Sequence, residues 1–170
     1  TYVNRFKVME KSNSKCGFIV IIGAPNVGKS TLINYVVGTK VSIVSPKVQT
    51  TRSKVLGISI TGNCQLILVD TPGIFAPKRR LDRAMVHSAW GGTEASDLIL
   101  LLVDSKRGLD SETRGIINNL KRFDKKRKIL LILNKVDLIQ KDKLLNLTEK
   151  LNQIQIFHKI FMISAKNGDG

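Results

Sequence analysis

An apolar run, Gly17 to Ile22, ends abruptly in Gly23-Ala-Pro-Asn-Val-Gly28-Lys29-Ser30, and a helical pattern follows at once from Lys29 to Val37. Such a stretch has few ways to fold: a strand feeds a glycine-rich turn that opens directly into a helix. The pattern is G-x-x-x-x-G-K-[ST], in which glycines let backbone N–H groups close around a phosphate and the helix N-terminus adds a positive dipole end. Gly23, Ala24, Pro25, Asn26, Val27 and Gly28 are therefore the expected phosphate cradle, continued into the helix by Thr31. Lys29 is expected to reach the β- and γ-phosphates as a point charge, and Ser30 to offer its hydroxyl to Mg²⁺.

The rest of the chain alternates in the same way. Apolar runs predict strands over Val55 to Ile60, Gln65 to Val69, Leu98 to Val103, Ile129 to Leu133 and Lys159 to Ile163. Helical spacing covers Asp110 to Arg122 and Asp142 to Gln153. Thr61, Gly62, Asn63 and Cys64 make so short a link that the strands on either side must form an antiparallel hairpin. Strands alternating with helices imply a doubly wound α/β domain, its mainly parallel sheet covered on both faces. Thr39 to Lys54 lacks periodicity and reads as a mobile loop, and Arg79 to Glu94 is weakly helical, interrupted by Gly91 and Gly92.

A length of 170 residues suits one domain. No apolar run approaches the roughly 18–20 residues that cross a bilayer. Charge is the unusual quantity, with a formal net charge of +15 and a pI near 10.1. Arg5, Lys7, Lys11 and Lys15 are one cluster; Lys40, Lys47, Arg52 and Lys54 a second; Lys121, Arg122, Lys125, Lys126, Arg127 and Lys128 a third. This excess suits a polyanion, RNA or an anionic membrane surface touched peripherally, or else it is a solvated basic face. Aromatic residues are only 5% of the chain, so base stacking is not the expected mode and phosphate contact is. Cys16 and Cys64 match no metal spacing and read as packing thiols of a reducing, cytoplasmic protein. His87 and His158 stand alone and receive no chemical role.

Three further loops carry chemistry. Asp70-Thr71-Pro72-Gly73 follows a strand, where an acid at the carboxyl end suits the Mg²⁺ side of a phosphate site. The Gly73 N–H would bond the γ-phosphate and sense its loss. Asn134-Lys135-Val136-Asp137 follows another strand. Guanine presents N1–H and an exocyclic amine side by side, and the Asp137 carboxylate can accept from both. Adenine lacks that pair, and two charge-assisted bonds are worth roughly 3–6 kcal/mol. Asn134 would brace the loop and the Lys135 stem would cover the base. Ser164-Ala165-Lys166 follows the last strand, with the Ala165 N–H expected on guanine O6 and Lys166 on the ring.

Taken in order, these elements resemble the translation-factor-like GTPases, and most closely the Era family. The residues that carry the resemblance are Gly23 to Thr31 (GAPNVGKST), Ser45 to Arg52 (SPKVQTTR), Asp70 to Gly73 and Asn134 to Asp137, and it covers nearly everything from Gly17 to Gly170. It implies a Ras-like P-loop fold, a three-layer sandwich around a mainly parallel six-stranded sheet with one antiparallel strand. It also implies that Thr51, with Thr50 as the alternative, binds Mg²⁺ when GTP is present. Lys29, Asn26, Thr51 and Gly73 are then the residues expected to act at the γ-phosphate, with Thr71, Pro72 and Ile74 in the same site. Ras-like switches place a Gln after D-x-x-G; here Ile74 cannot hydrogen-bond, so slow unaided turnover is expected. Asn26 resembles the residue that helps some related GTPases bind K⁺, which would stabilise developing charge.

The expected division is a basic arm over residues 1–15 and a GTPase domain over 16–170. That domain would stop before its last helix and before the family's C-terminal KH domain, the part that binds ribosomal RNA. The expected function is a monomeric, GTP-hydrolysing switch in small ribosomal subunit assembly, cycling between GTP and GDP. The alternative is a guanine-nucleotide-binding regulatory module with negligible hydrolysis. Asp137 opposes an ATP-dependent enzyme.

Overall fold

The computed structural model describes residues 15–38, 54–70, 97–122 and 128–170. Residues 1–14, the stretch Ser45 to Arg52 with Thr50 and Thr51, the residues Thr71, Pro72, Gly73 and Ile74, and the segment Arg79 to Glu94, expected to be weakly helical, lie outside the described residues.

The described elements run β1 (Lys15–Ile22), α1 (Lys29–Val37), β2 (Lys54–Thr61), β3 (Cys64–Asp70), β4 (Leu98–Asp104), α2 (Ser111–Leu120), β5 (Lys128–Asn134), a 3₁₀ turn (Val136–Leu138), α3 (Lys141–Asn152) and β6 (Lys159–Met162). They build a six-stranded sheet in the order β2-β3-β1-β4-β5-β6. β1 pairs in parallel with β3 and β4, β4 with β5, and β5 with β6, while β2 runs antiparallel to β3. The anticipated fold class, including its single antiparallel strand, is the one observed.

Period-two alternation in β1 explains the two covered faces. Ile19 and Ile21 pack with Ile33 of α1 and Leu68 of β3. Val20 and Ile22 join a larger cluster with Ile99, Leu101, Leu131 and Leu133, closed by Ile116, Ile117 and Leu120 of α2 and by Leu147 and Leu151 of α3. Fully burying each such side chain stabilises the fold by roughly 1.5–3 kcal/mol. Because β1 is central and the chain leaves it first toward β3 and later toward β4, the loop after β1 sits where the strand order reverses. Open α/β sheets bind ligands at that crevice, beyond the carboxyl ends of the strands.

Several boundaries differ from expectation. β1 begins at Lys15, so the last residue of the expected arm belongs to the sheet, paired with Cys64. Asp70, Asp104 and Asn134 are final strand residues, because each still pairs in the ladder: Asp70 with Ile21, and Asp104 with Asn134. The helix expected to start at Asp110 starts at Ser111, and Asp110 is its cap, accepting from the Thr113 N–H at 2.8 Å. Cys16 is exposed rather than packed, since it lies at the outer start of β1, and Cys64 is partly buried.

Candidate nucleotide-binding site

The phosphate loop spans the gap between β1 and α1, and its carbonyl groups are held from several directions. Lys29 Nζ donates to the carbonyls of Gly23 (2.8 Å) and Ala24 (3.0 Å). Arg107 Nη1 donates to the Pro25 carbonyl at 3.0 Å, and Lys135 Nζ to the Asn26 carbonyl at 2.7 Å. Asn134 Nδ2 donates to the Val27 carbonyl at 2.8 Å, and the Gly28 carbonyl starts the helix by accepting from the Leu32 N–H at 2.9 Å. With its carbonyls anchored in this way, the loop has a fixed backbone whose N–H groups are disposed by the same peptide planes.

Two glycines are required by geometry. A Cβ on Gly23 would stand 2.5 Å from the Leu102 carbonyl oxygen, and one on Gly28 would collide with Asn134 Nδ2. Gly28 also adopts φ of 99°, a left-handed conformation that side chains disfavour. Asn26 is left-handed as well, with φ of 63°, a conformation Asn tolerates better than most residues.

α1 starts in a manner suited to an anion. It has no side-chain cap and no acid in its first turn, whereas α2 has both Asp110 and Glu112. The first turn of α1 thus places no carboxylate of its own on the positive end of the dipole, where Lys29 begins the helix. Ser30 and Thr31 are exposed in that first turn. Asp70 ends β3 beside Ile21, on the strand adjacent to the loop.

Two more loops are joined to this one. Asn134, 2% exposed, uses its amide nitrogen on Val27 and its Oδ1 to accept from the Ala165 N–H at 2.9 Å. Asp137 is exposed, and its Oδ1 accepts from the Ser164 hydroxyl at 2.7 Å. A carboxylate has about four acceptor sites, so this bond orients Asp137 and leaves capacity for two further donors. Lys135 lies between loops, its ammonium on Asn26 and 2.6 Å from Asp104 Oδ2. Val136 joins the last loop through its N–H, which donates to the Ile163 carbonyl at 3.2 Å.

One expected donor has a partner within the chain. The Ala165 N–H, expected on guanine O6, is taken by Asn134 Oδ1, and Ala165 is 5% exposed. Lys166, next in the turn, is exposed.

Three residues at and just after the end of β4 reach these loops and went unnoticed in the sequence. Asp104, 5% exposed, accepts from the Lys106 N–H (2.9 Å) and the Arg107 N–H (3.3 Å) besides pairing with Lys135. The Ser105 N–H donates to the Asn134 carbonyl at 2.9 Å. Arg107 also meets Asp110 at 2.6 Å and Glu112 at 3.1 Å. The hydrogen bond to Glu112, then the charge of Asp110, hold its guanidinium still more firmly protonated than usual. The one sequence hint was an acid terminating an apolar strand, as Asp70 does.

A family model described as 50S ribosome-binding GTPase matches residues 18–135. GTPase Era of Bradyrhizobium sp. (strain ORS 278) is 55% identical over 157 residues, 92% of this chain and 50% of the relative. GTPase Era of Brucella suis biovar 1 is 52% identical over 161 residues, covering 95% of this chain and 51% of the relative. The chain thus spans about half the length of the curated relatives it matches. Among solved structures, Era in complex with MgGDPNP and nucleotides 1506–1542 of 16S ribosomal RNA superposes with a TM-score of 0.72 at 38% identity, over 92% of this chain and 53% of that one. A variant of Aquifex aeolicus Era bound to GDP and aluminium fluoride gives 0.67 at 35% identity, over 91% of this chain and 53% of that one. The chain therefore belongs to the family of 50S ribosome-binding GTPases, with Era GTPases among its homologues.

Proposed function

We propose that this chain is the guanine-nucleotide-binding part of a GTP-hydrolysing switch. The observation that carries the reading is the bridge through Asn134, which ties the phosphate loop at Val27 to the base-side turn at Ala165, with Asp137 oriented by Ser164 between them. Phosphates would lie on Gly23 to Thr31, and Asp137 would accept both guanine donors. With the Ala165 N–H committed to Asn134, the Lys166 N–H takes over as the donor to guanine O6. Ser30, Asp70 and Thr51 would hold Mg²⁺, which neutralises phosphate charge when bound. The two solved Era relatives, one with MgGDPNP and one with GDP and aluminium fluoride, support this assignment. Gly73 would sense the γ-phosphate, and Asn26 would help bind K⁺. The domain is proposed to comprise residues 16–170 together with Lys15.

For the whole protein, we place the switch in small ribosomal subunit assembly through ribosomal RNA. A relative bound to a 16S ribosomal RNA segment and the net charge of +15 both favour an RNA partner. Lys121, Arg122, Lys128 and Lys159 are exposed where α2 ends and where β5 and β6 begin, at the amino ends of the strands and away from the proposed nucleotide. Among the described residues no helix is long and apolar enough to cross a membrane.

A second reading, binding with negligible hydrolysis, rests on Ile74, which offers no hydrogen bond to an attacking water. Competition of GTP against ATP tests the base assignment: GTP should win by roughly 10²–10⁴-fold, and equal competition would reject it. GTP turnover measured in K⁺ and in Na⁺ separates the readings. Faster release of phosphate in K⁺ supports the switch with Asn26 as cation ligand. No turnover in either salt favours the binding module.

A further inference from the structure

We propose that Arg107 is a positioning residue for the phosphate loop, holding the Pro25 carbonyl from the connection between β4 and α2. The inference rests on the guanine-nucleotide reading above. Its guanidinium spans three partners at once: Nη1 on the Pro25 carbonyl at 3.0 Å, Nη2 on Asp110 at 2.6 Å and on Glu112 at 3.1 Å. A planar fork can satisfy a carbonyl and two carboxylates together, which a lysine ammonium does less well. The turn that presents Arg107 is itself fixed, because Asp104 Oδ1 accepts the backbone N–H groups of Lys106 and Arg107. The other oxygen of Asp104 pairs with Lys135, which grips the next carbonyl, Asn26. Two neighbouring carbonyls of the loop are thus held by two cations, and both cations depend on one buried carboxylate.

The consequence follows from peptide geometry. The Pro25 carbonyl and the Asn26 N–H share one planar unit and point to opposite sides of it. Fixing the carbonyl toward Arg107 fixes the Asn26 N–H away from it. Donors set before the ligand arrives lose less freedom on binding, so the contact acts on nucleotide retention rather than on base choice.

The test compares the intact chain with Arg107→Gln, Arg107→Lys, Glu112→Gln and Arg114→Gln. Arg114 is the control, since it is exposed on α2 and its side chain, among the described residues, bonds the Leu109 carbonyl and not the phosphate loop. Two quantities are read: the backbone ¹⁵N resonance of Asn26 without nucleotide, and dissociation of fluorescently labelled GDP with Mg²⁺. Arg107→Gln should move the Asn26 resonance and speed GDP release by about 3- to 10-fold, the weight of one charge-assisted bond partly exposed to water. Glu112→Gln should shift both the same way by less, Arg107→Lys should fall between, and GTP over ATP preference should not change. An unmoved Asn26 resonance overturns the proposal, as does Arg114→Gln releasing GDP equally fast. If the unaltered chain fails to bind GDP, the nucleotide reading falls, and the Asn26 resonance alone then decides whether Arg107 orders the loop.

Discussion

Asn134 Nδ2 lies 2.8 Å from the Val27 carbonyl, so the residue that ends β5 holds the phosphate loop. Its Oδ1 simultaneously holds the Ala165 N–H at 2.9 Å. Asn134→Ala strands a buried acceptor and a buried donor, each costing about 1–3 kcal/mol when unpaired. The variant should be less stable by about 2–4 kcal/mol in urea unfolding and should lose GTP binding. A change below about 0.5 kcal/mol would mean that the bridge holds nothing.

Asp137 faces the solvent side of the same loop with one oxygen on Ser164. Asp137→Asn replaces an acceptor-only group by one that also donates, which opposes the guanine amine and suits the carbonyl of xanthine. GTP affinity should fall by roughly 10²–10⁴-fold and xanthosine triphosphate should bind in its place. Calorimetric titration with both nucleotides checks this. Unchanged GTP affinity would remove Asp137 from the base site.

Lys29 donates to Gly23 and Ala24 within its own loop. Lys29→Ala removes the cation nearest the expected phosphates while leaving β1 and α1 packed through Ile21 and Ile33. Nucleotide binding should disappear and the far-ultraviolet circular dichroism should not change. Retained micromolar affinity would contradict the phosphate-loop assignment.

Asp110 links the α2 cap to acid stability. Burial raises its pKa, but the hydrogen bonds from Thr113 and the Arg107 charge outweigh that, leaving the carboxyl below its usual 3.8. A lowered folded value stabilises the fold above the ordinary value, and the contribution is lost as pH falls through the folded one. Asp110→Asn retains a capping oxygen but does not titrate. The stability gap between the two proteins should therefore hold steady above about pH 5 and narrow as pH falls below the ordinary 3.8. A pH-independent gap in urea midpoints would show that the charge is irrelevant.

Much of this was legible from residue order because the signals are local. The alternation in β1 and the glycine spacing from Gly23 to Gly28 dictate strand, loop and helix without reference to the rest of the chain. Strand ends were misjudged by a residue because Asp70 and Asn134 look polar yet still pair in the ladder. Asp104 and Arg107 were missed for a different reason. Their contacts depend on β4 lying between β1 and β5, a neighbourhood set by sheet order and absent from any local pattern. The bond from the Ala165 N–H to Asn134 was missed for the same cause, since Asn134 stands on another strand.

If the three loops after β1, β5 and β6 surround one guanine nucleotide, they must respond together when Mg²⁺ and GDP are titrated into the chain and backbone amide resonances are followed. Gly28 and Lys29, Asp137, and Lys166 should all move and saturate together with one dissociation constant. Shifts confined to a single loop, or loops saturating at different concentrations, would contradict that arrangement.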